Sequence, residues 1–355
     1  MKRAHHGACL LALFAASCTT ISGAPAPPLA PTPAPPMRAT IVAPAPQMAA
    51  SAILARTDDF IIVRAEAGDT YAALAQVYLR DPALAEIIAG ANGGNALSPG
   101  RPLIVPLKAD NASGVFADGY QTVPILCYHQ FSTGRSPDRM IMPRASFLAQ
   151  MDYLKNNDYH IITLVDLQNF LSASKPIPPR SVVITVDDGF RSGYDIAYPI
   201  LKSYGFRATF FIYTDFVGGS RSLTWAAIKE MGESGMIDIQ SHSKTHTSFT
   251  PAAGEMEKSP SYAARIKTEI DPPQATLERQ LASHIRDFAY PYGDASRLAV
   301  QYLRERNYAL GLTVERGGNP SFSDPLLLRR DMVYGDATIA DFQKYLRVYT
   351  KTNLK

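Results

Sequence analysis

Short apolar runs alternate with amphipathic stretches along the chain from about residue 122 onward. The apolar runs predict strands near 123–128, 181–187, 208–213, 236–241, 287–291, 308–314 and 326–333. The stretches between them predict helices near 144–156, 195–204, 225–234, 275–285, 296–306 and 338–348, and the polar stretch 250–273 predicts a loop with a short helix. Repeated βα units indicate a mostly parallel sheet, and its right-handed winding can close into a barrel.

Carboxylates and imidazoles follow two of these predicted strands. Asp187 and Asp188 end one apolar run, and His242 and His246 come directly after another. Sheets and barrels of this class place their active sites at the carboxyl ends of the strands. One Asp can bind a metal while the other accepts a proton, and three protein ligands plus a water are typical of a catalytic zinc. Taken singly, the features are also compatible with an ordinary turn and two solvated histidines; together they favour a metal hydrolase.

A third motif, Asp287–Gly293, is another strand that ends in an aromatic turn. With it, the chain resembles the polysaccharide deacetylases, the NodB-homology domains of carbohydrate esterase family four. Thr185–Gly189 resembles the first motif of that family, His242–His246 the second and Tyr290–Gly293 the third. The resemblance covers the chain from about Thr122 and implies an α/β fold, a distorted (β/α) barrel with fewer units than the eight-fold version.

The resemblance also implies roles for individual residues. Asp187 would be the catalytic base, and Asp188, His242 and His246 would hold the metal. The backbone N–H of Tyr292 would stabilise the tetrahedral oxyanion, as preorganised donors do in acyl transfer. The aromatic turn would also bring Tyr290 and Pro291 to the substrate, and the rings of Tyr290 and Tyr292 either stack on a sugar or pack against the protein. Zinc is the expected metal, although a site of two His and one Asp can also accept Co, Ni or Mn.

The chain departs from the family pattern at three places. Thr247 stands where the family usually has Pro, and Ala289 stands where it usually has an Arg that orients the base. Arg330 or Arg329 is the candidate to supply the missing cation. The late Leu-x-His motif that provides the family's general acid is also absent from the sequence.

A resemblance to one subgroup of the family makes His129, which directly follows the predicted strand 123–128, the candidate for that acid. The opening Tyr128–His129 is similar to the subgroup that deacetylates poly-N-acetylglucosamine, in which a His from this strand fills the acid role. The alternative is a structural His that bonds a neighbouring loop. Trp225, the only tryptophan of the chain, has two interpretations as well: it stacks on a sugar ring, or it packs a helix against the barrel.

The N-terminus has the pattern of an export signal. Lys2 and Arg3 precede an apolar stretch, residues 8–16, that is too short to span a membrane. Ala15–Cys18 resembles a bacterial lipobox with Cys18 as the lipidated residue, and ordinary cleavage nearby is the alternative. We therefore predict a signal segment over 1–23, export to the periplasm or cell envelope, and membrane attachment through a lipid only. The remaining Cys127 lies in a predicted core strand, so no disulfide framework is expected.

A small unit with its own pattern precedes the predicted barrel. Phe60–Val63 predicts a strand, Asp69 begins a helix, Asp81 caps a second helix with Pro82 at its first position, and Pro102–Pro106 closes with a strand. This βααβ unit resembles a LysM domain. The matching residues are Val63, Gly68–Thr70, Leu74, Ala75, Tyr78, Asn92, Leu97, Pro99, Gly100 and Leu103–Pro106. The resemblance implies binding of an N-acetylglucosamine-containing glycan, most often peptidoglycan.

The predicted organisation is therefore a signal segment (1–23), a Pro/Ala-rich spacer (24–57), a LysM-like domain (58–108), a linker (109–121) and a deacetylase domain (122–355). A net charge of +3 without a basic stripe argues against nucleic acid as a partner. The leading hypothesis is removal of N-acetyl groups from N-acetylglucosamine residues of a cell-envelope polysaccharide, either peptidoglycan or poly-N-acetylglucosamine. The alternatives are a catalytically inactive glycan-binding lipoprotein and an O-acetyl polysaccharide esterase.

Overall fold

The structure is a computed structural model that describes residues 53–352, except 94–95, 108–110, 117–118, 252, 254 and 258. The predicted signal segment, Cys18 and the spacer up to residue 52 lie outside the described residues. Among the described helices, none has both the length and the apolar character that a membrane span requires.

The N-terminal unit is built from an antiparallel sheet and two short helices. Its elements are β1 (Ile53–Arg56), β2 (Phe60–Arg64), α1 (Tyr71–Leu79), a 3-10 turn (Pro82–Leu84), α2 (Ala85–Ala91) and β3 (Pro102–Pro106). The sheet order is β1-β2-β3, and a separate hydrophobic core contains Ile61, Val63, Leu74, Ile88, Leu103 and Val105. From β2 onward the order of elements is the predicted βααβ. Its identity as a LysM domain stays a prediction.

Three details of this unit differ from the sequence prediction. Strand β1 lies within the predicted spacer and pairs antiparallel with β2. Its side chains are exposed on both faces, so hydrophobic alternation could not predict it. Helix α1 begins after Thr70 rather than at Asp69, because the Thr70 hydroxyl accepts the N–H of Ala73 at 3.1 Å and caps the helix. The second helix opens as the 3-10 turn at Pro82 before α2.

The rest of the chain alternates strands and helices. In order, the elements are β4 (Val115–Phe116), β5 (Gly119–Gln121), β6 (Ile125–Tyr128), β7 (Gln130–Ser132), β8 (Ile141–Pro143), α3 (Arg144–Asn156), β9 (His160–Ile161), α4 (Leu164–Leu171), β10 (Ser181–Val186), a π-helical turn (Gly193–Ala197), α5 (Tyr198–Tyr204), β11 (Ala208–Ile212), a 3-10 turn (Thr214–Phe216), α6 (Trp225–Glu233), β12 (Ile237–Ser241), α7 (Pro260–Leu281), β13 (Asp287–Ala289), a 3-10 turn (Pro291–Gly293), α8 (Arg297–Glu305), β14 (Leu310–Leu312), β15 (Asp331–Met332), α9 (Ile339–Tyr345) and β16 (Tyr349–Lys351).

The main sheet is parallel and curled. Its order is β14-β13-β12-β11-β10-β6-β15, and β9 also pairs with β10. The segment before β15 reaches the opposite edge, because Leu328 bridges Leu312 of β14 while β15 pairs with β6. This curled sheet is consistent with the expected distorted (β/α) barrel.

Side-chain alternation along β10 separates two cores. Val182 and Ile184 pack in the large cluster that also contains residues of α3 and α6, whereas Val183 packs with Leu312 and Leu328 in the cluster inside the barrel. Because successive strand residues face opposite sides, Thr185 lies on the inner face with Val183. The inner face therefore turns polar towards the carboxyl end of the strand.

Helix α7 corrects the predicted loop at 250–273. The helix begins at Pro260 and continues through Pro272 and Pro273, although proline within a helix removes backbone hydrogen bonds. Its buried side chains, Tyr262, Ile266, Ile270, Pro273 and Leu277, recur every three or four residues. Burial of this stripe outweighs the backbone hydrogen bonds that the two prolines remove.

Several further elements were not predicted from the sequence, among them helix α4 and strands β4 and β5. Helix α4 is fixed by a capping box in which the Thr163 hydroxyl accepts the Asp166 N–H and the Asp166 carboxylate accepts the Thr163 N–H. The predicted linker 109–121 contains β4 and β5, and β5 pairs antiparallel with the C-terminal strand β16. Its described strands are therefore part of the folded C-terminal region.

A buried carboxyl begins β13. Asp287 is 2% exposed, and its Oδ1 has no hydrogen-bond partner among the described residues. Burial, and next the neighbouring carboxyl of Asp238, raise the pKa of Asp287 from 3.8 to about 7. The folded protein therefore holds this proton over a pH range in which the unfolded chain releases it.

We predict that Asp287→Asn makes stability less dependent on pH. Because the folded pKa lies above the unfolded one, the wild type loses stability as pH rises from about 4 to 7, by up to about 4 kcal/mol. The amide cannot ionise, so the variant should keep that free energy of unfolding. Urea unfolding of both proteins between about pH 5 and pH 8 measures the difference. If the two proteins differed by the same free energy of unfolding at every pH in this range, the raised pKa of Asp287 would be contradicted.

Candidate active site and metal centre

The adjacent carboxylates of the first motif can face one site because the backbone turns sharply after β10. The Asp187 N–H still donates to the Tyr128 carbonyl at 2.8 Å, but Asp188 has φ +73° and Gly189 has φ +83°. A Cβ on Gly189 would lie 3.1 Å from Ile212 Cδ1, so this left-handed position also lacks space for a side chain. The turn breaks the alternation that would otherwise send the two Asp side chains apart.

Three predicted ligands converge at the end of the sheet. The ligand atoms of Asp188, His242 and His246 all lie within 4.8 Å of one another. Asp188 Oδ1 is 3.2 Å from His246 Nε2 and 3.5 Å from His242 Nε2. This oxygen is buried, and neither contact has the geometry of a hydrogen bond. An unsatisfied carboxylate oxygen between two imidazole nitrogens fits a divalent cation with oxygen and nitrogen ligands.

The charges around this group favour an ionised carboxylate. Burial opposes ionisation, but the imidazoles of His242 and His246 hold the pKa of Asp188 below its usual value. Burial likewise opposes protonation of His242, while the carboxylates of Asp187 and Asp188 raise the pKa of that imidazole. Negative charge is thus concentrated where the ligand atoms meet.

The orientation of His242 is set by the third motif. Its Nδ1 lies 2.7 Å from the Ala289 carbonyl oxygen, and because a carbonyl only accepts, Nδ1 carries the proton. Nε2 is therefore the nitrogen that faces Asp188. Partners of this kind fix the tautomer and ring orientation of metal-binding histidines.

The loop of the second motif is held by helix α7. The Glu269 carboxylate is buried and accepts the backbone N–H of Lys244 at 3.1 Å and of Thr245 at 2.8 Å, as well as the Thr245 hydroxyl at 2.8 Å. His246 has φ +62°, and its N–H donates to Ser243 Oγ at 3.0 Å. Sequence analysis missed Glu269 because it treated this part of the chain as a loop.

The base candidate Asp187 is bound by Arg330. Nη1 and Nη2 of Arg330 donate to Oδ1 and Oδ2 of Asp187, each at 2.7 Å, and Nε donates to the Thr313 carbonyl at 2.8 Å. Both side chains are almost fully buried. Of the two predicted candidates, Arg329 instead points to the surface, with its Nε 3.8 Å from Glu315 Oε2. Arg330 therefore stands against the base in place of the Arg missing at Ala289.

Strand periodicity explains how Arg330 reaches the barrel interior. Leu328 packs inside the barrel, and Arg330, two residues later, shares its face. Burial works against the charge, but Arg330, and next His242, lower the pKa of the Asp187 carboxyl below its usual range. Asp187 is thus an ionised carboxylate with a fixed orientation.

His129 lies beside Asp187 after the end of β6. Its ring nitrogen, Cys127 Sγ and an Asp187 carboxylate oxygen all lie within 4.8 Å of one another. Burial lowers the pKa of His129, and the carboxylates of Asp187 and Asp188 oppose that effect. Within the described residues its ring makes no hydrogen bond to a loop, so nothing there favours the structural alternative. Its role as general acid stays a prediction.

The residues of the third motif divide between surface and core. Tyr292 has φ +59° and is 63% exposed, and its ring centroid lies 4.7 Å from that of His246. Tyr290 is instead fully buried and donates its hydroxyl to the Leu326 carbonyl at 3.0 Å, and Pro291 is buried as well. The burial of the Tyr290 ring favours its packing interpretation and argues against a contact of either side chain with substrate. Trp225 packs against the large core, which favours its packing interpretation.

We predict that Arg330→Met destabilises the protein by about 3–5 kcal/mol, because it leaves the Asp187 charge buried without its partner. Arg329→Met is the matched control, and its loss should stay below about 1 kcal/mol because that side chain is exposed. Urea unfolding at neutral pH compares the two. Equal losses would show that the buried ion pair contributes nothing specific.

We also predict that Glu269→Ala weakens metal binding about 10- to 100-fold, as removal of groups that orient metal ligands does. The substitution frees the backbone between His242 and His246 without touching a ligand. Titration of the metal-free protein with Zn²⁺ measures the change. Glu278→Ala, on the same helix, is the control, and an unchanged affinity in Glu269→Ala would exclude the positioning role.

Comparison with known proteins agrees with this geometry. Residues 174–311 match the polysaccharide deacetylase family. The Bacillus subtilis protein YxkH, whose name assigns it to the polysaccharide deacetylases, is 28% identical over 208 residues, which is 59% of this chain and 70% of that protein. The poly-beta-1,6-N-acetyl-D-glucosamine N-deacetylase of Staphylococcus epidermidis is 28% identical over 200 residues, 54% of this chain and 67% of the relative.

A solved structure shows the same fold. IcaB of Ammonifex degensii superposes with a TM-score of 0.58 at 25% identity, over 65% of this chain and 99% of that one. The matched family region includes Asp187, Asp188, His242, His246 and Tyr292. The chain therefore carries a polysaccharide deacetylase domain and is a hydrolase of the deacetylase type.

Proposed function

We propose that this enzyme removes N-acetyl groups from N-acetylglucosamine residues of an envelope polysaccharide, with poly-β-1,6-N-acetylglucosamine as the leading substrate. The observation that carries the proposal is the ionised Asp187, held by Arg330 beside the converging ligand atoms of Asp188, His242 and His246. The name of the Staphylococcus epidermidis relative supports the glycan, as does the Tyr128–His129 opening. Peptidoglycan is the second candidate and rests on the LysM-like unit.

The three converging side chains would hold a divalent metal, with zinc as the first choice and Co, Ni or Mn as alternatives. When bound, such an ion supplies Lewis acidity and lowers the pKa of a coordinated water to about 7. Asp188 contributes the negative charge, and His242 is already oriented for this role by the Ala289 carbonyl.

Asp187 would accept the proton of the attacking water. Arg330 donates hydrogen bonds to both carboxylate oxygens of Asp187 from the barrel interior, and these bonds hold the carboxylate in its orientation towards the site. A new C–O bond then forms at the acetamido carbon, and the negative charge develops on the former carbonyl oxygen. The backbone N–H of Tyr292 is the proposed donor to that oxygen.

His129 would complete the reaction. The C–N bond breaks as the leaving nitrogen takes a proton from the imidazole, and the products are acetate and a free amine. His129 and Asp187 lie close together. The proton that Asp187 accepts from the water would thus balance the proton that His129 gives to the leaving nitrogen. The proposed export, and the proposed lipid anchor at Cys18, would place this chemistry at the cell envelope.

An inactive glycan-binding lipoprotein is the competing proposal from another functional class. Its support was the absence of Arg at position 289 and of the late His motif. Arg330 lies against the base in place of the Arg missing at position 289. His129 lies beside Asp187, where it can take the role of the missing late His. An O-acetyl esterase would use the same residues, so only the choice of substrate separates it from an N-deacetylase.

Acetate release from defined glycans tests the proposal. The metal-loaded full-length protein is assayed on poly-β-1,6-N-acetylglucosamine, peptidoglycan, chito-oligomers and an O-acetylated polysaccharide. Asp187→Asn should abolish release, and His129→Ala should reduce it about 10²- to 10⁴-fold, the usual contribution of general acid–base catalysis. His160→Ala, an exposed histidine on β9, is the control and should keep the wild-type rate.

Release confined to the O-acetylated polymer would move the assignment to an esterase. Glycan binding without release from any polymer would favour the inactive binding protein. A His129→Ala variant with the wild-type rate would exclude His129 as the acid.

A further inference from the structure

A second group of possible metal ligands lies beside the first. The ligand atoms of Cys127, His129 and Asp187 all lie within 4.8 Å of one another, and we call these three side chains the thiol cluster. Cys127 lies in β6 and His129 directly follows this strand, so the two side chains face the same way. Thiolate, imidazole and carboxylate are the side-chain types that bind zinc in proteins. The proposed reaction uses the imidazole and the carboxylate but gives the thiol no task.

The thiol proton of Cys127 marks the place that an ion would take. Cys127 Sγ lies 3.5 Å from Asp187 Oδ2 and donates to that oxygen, which also accepts a hydrogen bond from Arg330. Burial raises the pKa of the Cys127 thiol, so the proton stays on the sulfur at neutral pH. A bound metal ion removes such a proton outright. The ion would then bind the sulfur and the carboxylate oxygen where the proton now joins them, without displacing Arg330.

His129 forms the accessible side of the thiol cluster. Within the described residues its ring makes no hydrogen bond, and the side chain is only partly buried, so a cation can reach a ring nitrogen from solvent. Zinc bonds of about 2.0–2.3 Å would draw the three ligand atoms roughly 1 Å closer together than they lie here. The imidazole can supply most of this change, because the outer torsion of a histidine side chain has a broad energy minimum.

The charges around the thiol cluster make it the weaker of the two metal sites. The Arg330 guanidinium lies 2.7 Å from Asp187 Oδ2 and repels a cation bound to that oxygen. At the first site, Oδ1 of Asp188 faces the imidazoles of His242 and His246 instead. The first ion therefore fills the Asp188 site. A second ion enters the thiol cluster only when metal is present in excess.

We infer that the thiol cluster is an inhibitory site for a second divalent cation that binds sulfur, such as Zn²⁺. This inference rests on the proposed function and adds a regulation of the same site. The thiol proton leaves to solvent, a metal–sulfur bond forms at Cys127, and Asp187 and His129 become ligands. The base can then accept no proton from water, and the acid can give none to the leaving nitrogen. Thiolate favours Zn²⁺ over Mn²⁺, so excess Mn²⁺ does not inhibit in this way.

Titration of the metal-free full-length protein with Co²⁺ tests the site without any assay of activity. The first equivalent should bind without sulfur. The second should bring the near-ultraviolet charge-transfer band of a cobalt–thiolate bond. Cys127→Ser should still bind the first equivalent and should lose this band. The matched control is Cys9→Ser, which removes another thiol of the chain and should keep the band.

Acetate release is then measured at one equivalent of metal and in excess Zn²⁺ or Mn²⁺. When Zn²⁺ saturates the second site, the wild-type rate should fall by about 10²-fold or more, the usual contribution of general acid–base catalysis. Excess Mn²⁺ should leave the wild-type rate unchanged. Cys127→Ser should keep its rate in excess Zn²⁺. Each protein is compared with its own rate at one equivalent, so an effect of the substitution on the basal rate does not enter.

A wild type that binds a single Co²⁺, or a thiolate band that persists in Cys127→Ser, would overturn the second metal site. Equal inhibition of wild type and Cys127→Ser by excess Zn²⁺, or a rate that rises with the second ion, would overturn its inhibitory role. If wild type releases no acetate at any metal concentration, the proposed function fails, and the cobalt titration alone decides the thiol cluster. If Cys127→Ser does not fold, Cys127→Ala replaces it in both measurements.

Discussion

The buried ion pair between Asp187 and Arg330 is the constraint on which the rest of the site depends. Moving two charged groups out of water costs several kcal/mol for each, and only close, well-formed contacts offset that cost. Here the guanidinium makes two bonds of 2.7 Å to the carboxylate and a third bond to the Thr313 carbonyl. These contacts exist only if the segment from Leu328 to β15 completes the curled sheet between β14 and β6. Formation of the sheet and orientation of the base are thus one event.

The same pair explains how two adjacent carboxylates acquire different tasks. Asp187 faces a permanent cation inside the barrel, whereas Asp188, turned by its positive φ, faces two imidazoles and keeps an unsatisfied oxygen. Both carboxyl groups have lowered pKa values, but the causes differ: Arg330 leads for Asp187, and the two imidazoles lead for Asp188, in each case against the effect of burial. One charge is neutralised by the protein, and the other is left for a cation. The backbone turn at Gly189 makes this division.

The sequence predicts the local parts of this arrangement better than the distant ones. The bounds of α3 agree with the predicted helix, and the motifs were located at strand ends, because hydrophobic periodicity and turn residues are local signals. Arg330 could be named only together with Arg329, since the choice depends on which neighbour enters the barrel. Glu269 was missed because the polar composition of residues 250–273 predicted a loop, whereas packing of the buried face stabilises helix α7. The linker prediction failed for a similar reason: the partner of β5 is the last strand of the chain.

The segment from Thr313 to Arg330 contains no helix, although the pattern of βα units would place one between β14 and β15. Its irregular backbone instead brings Arg330 into the barrel interior. Glu315 helps to fix this residue, because its carbonyl accepts the Arg330 N–H at 3.0 Å. The departure from regular βα alternation is therefore what brings a cation into the barrel, where it holds the base in place.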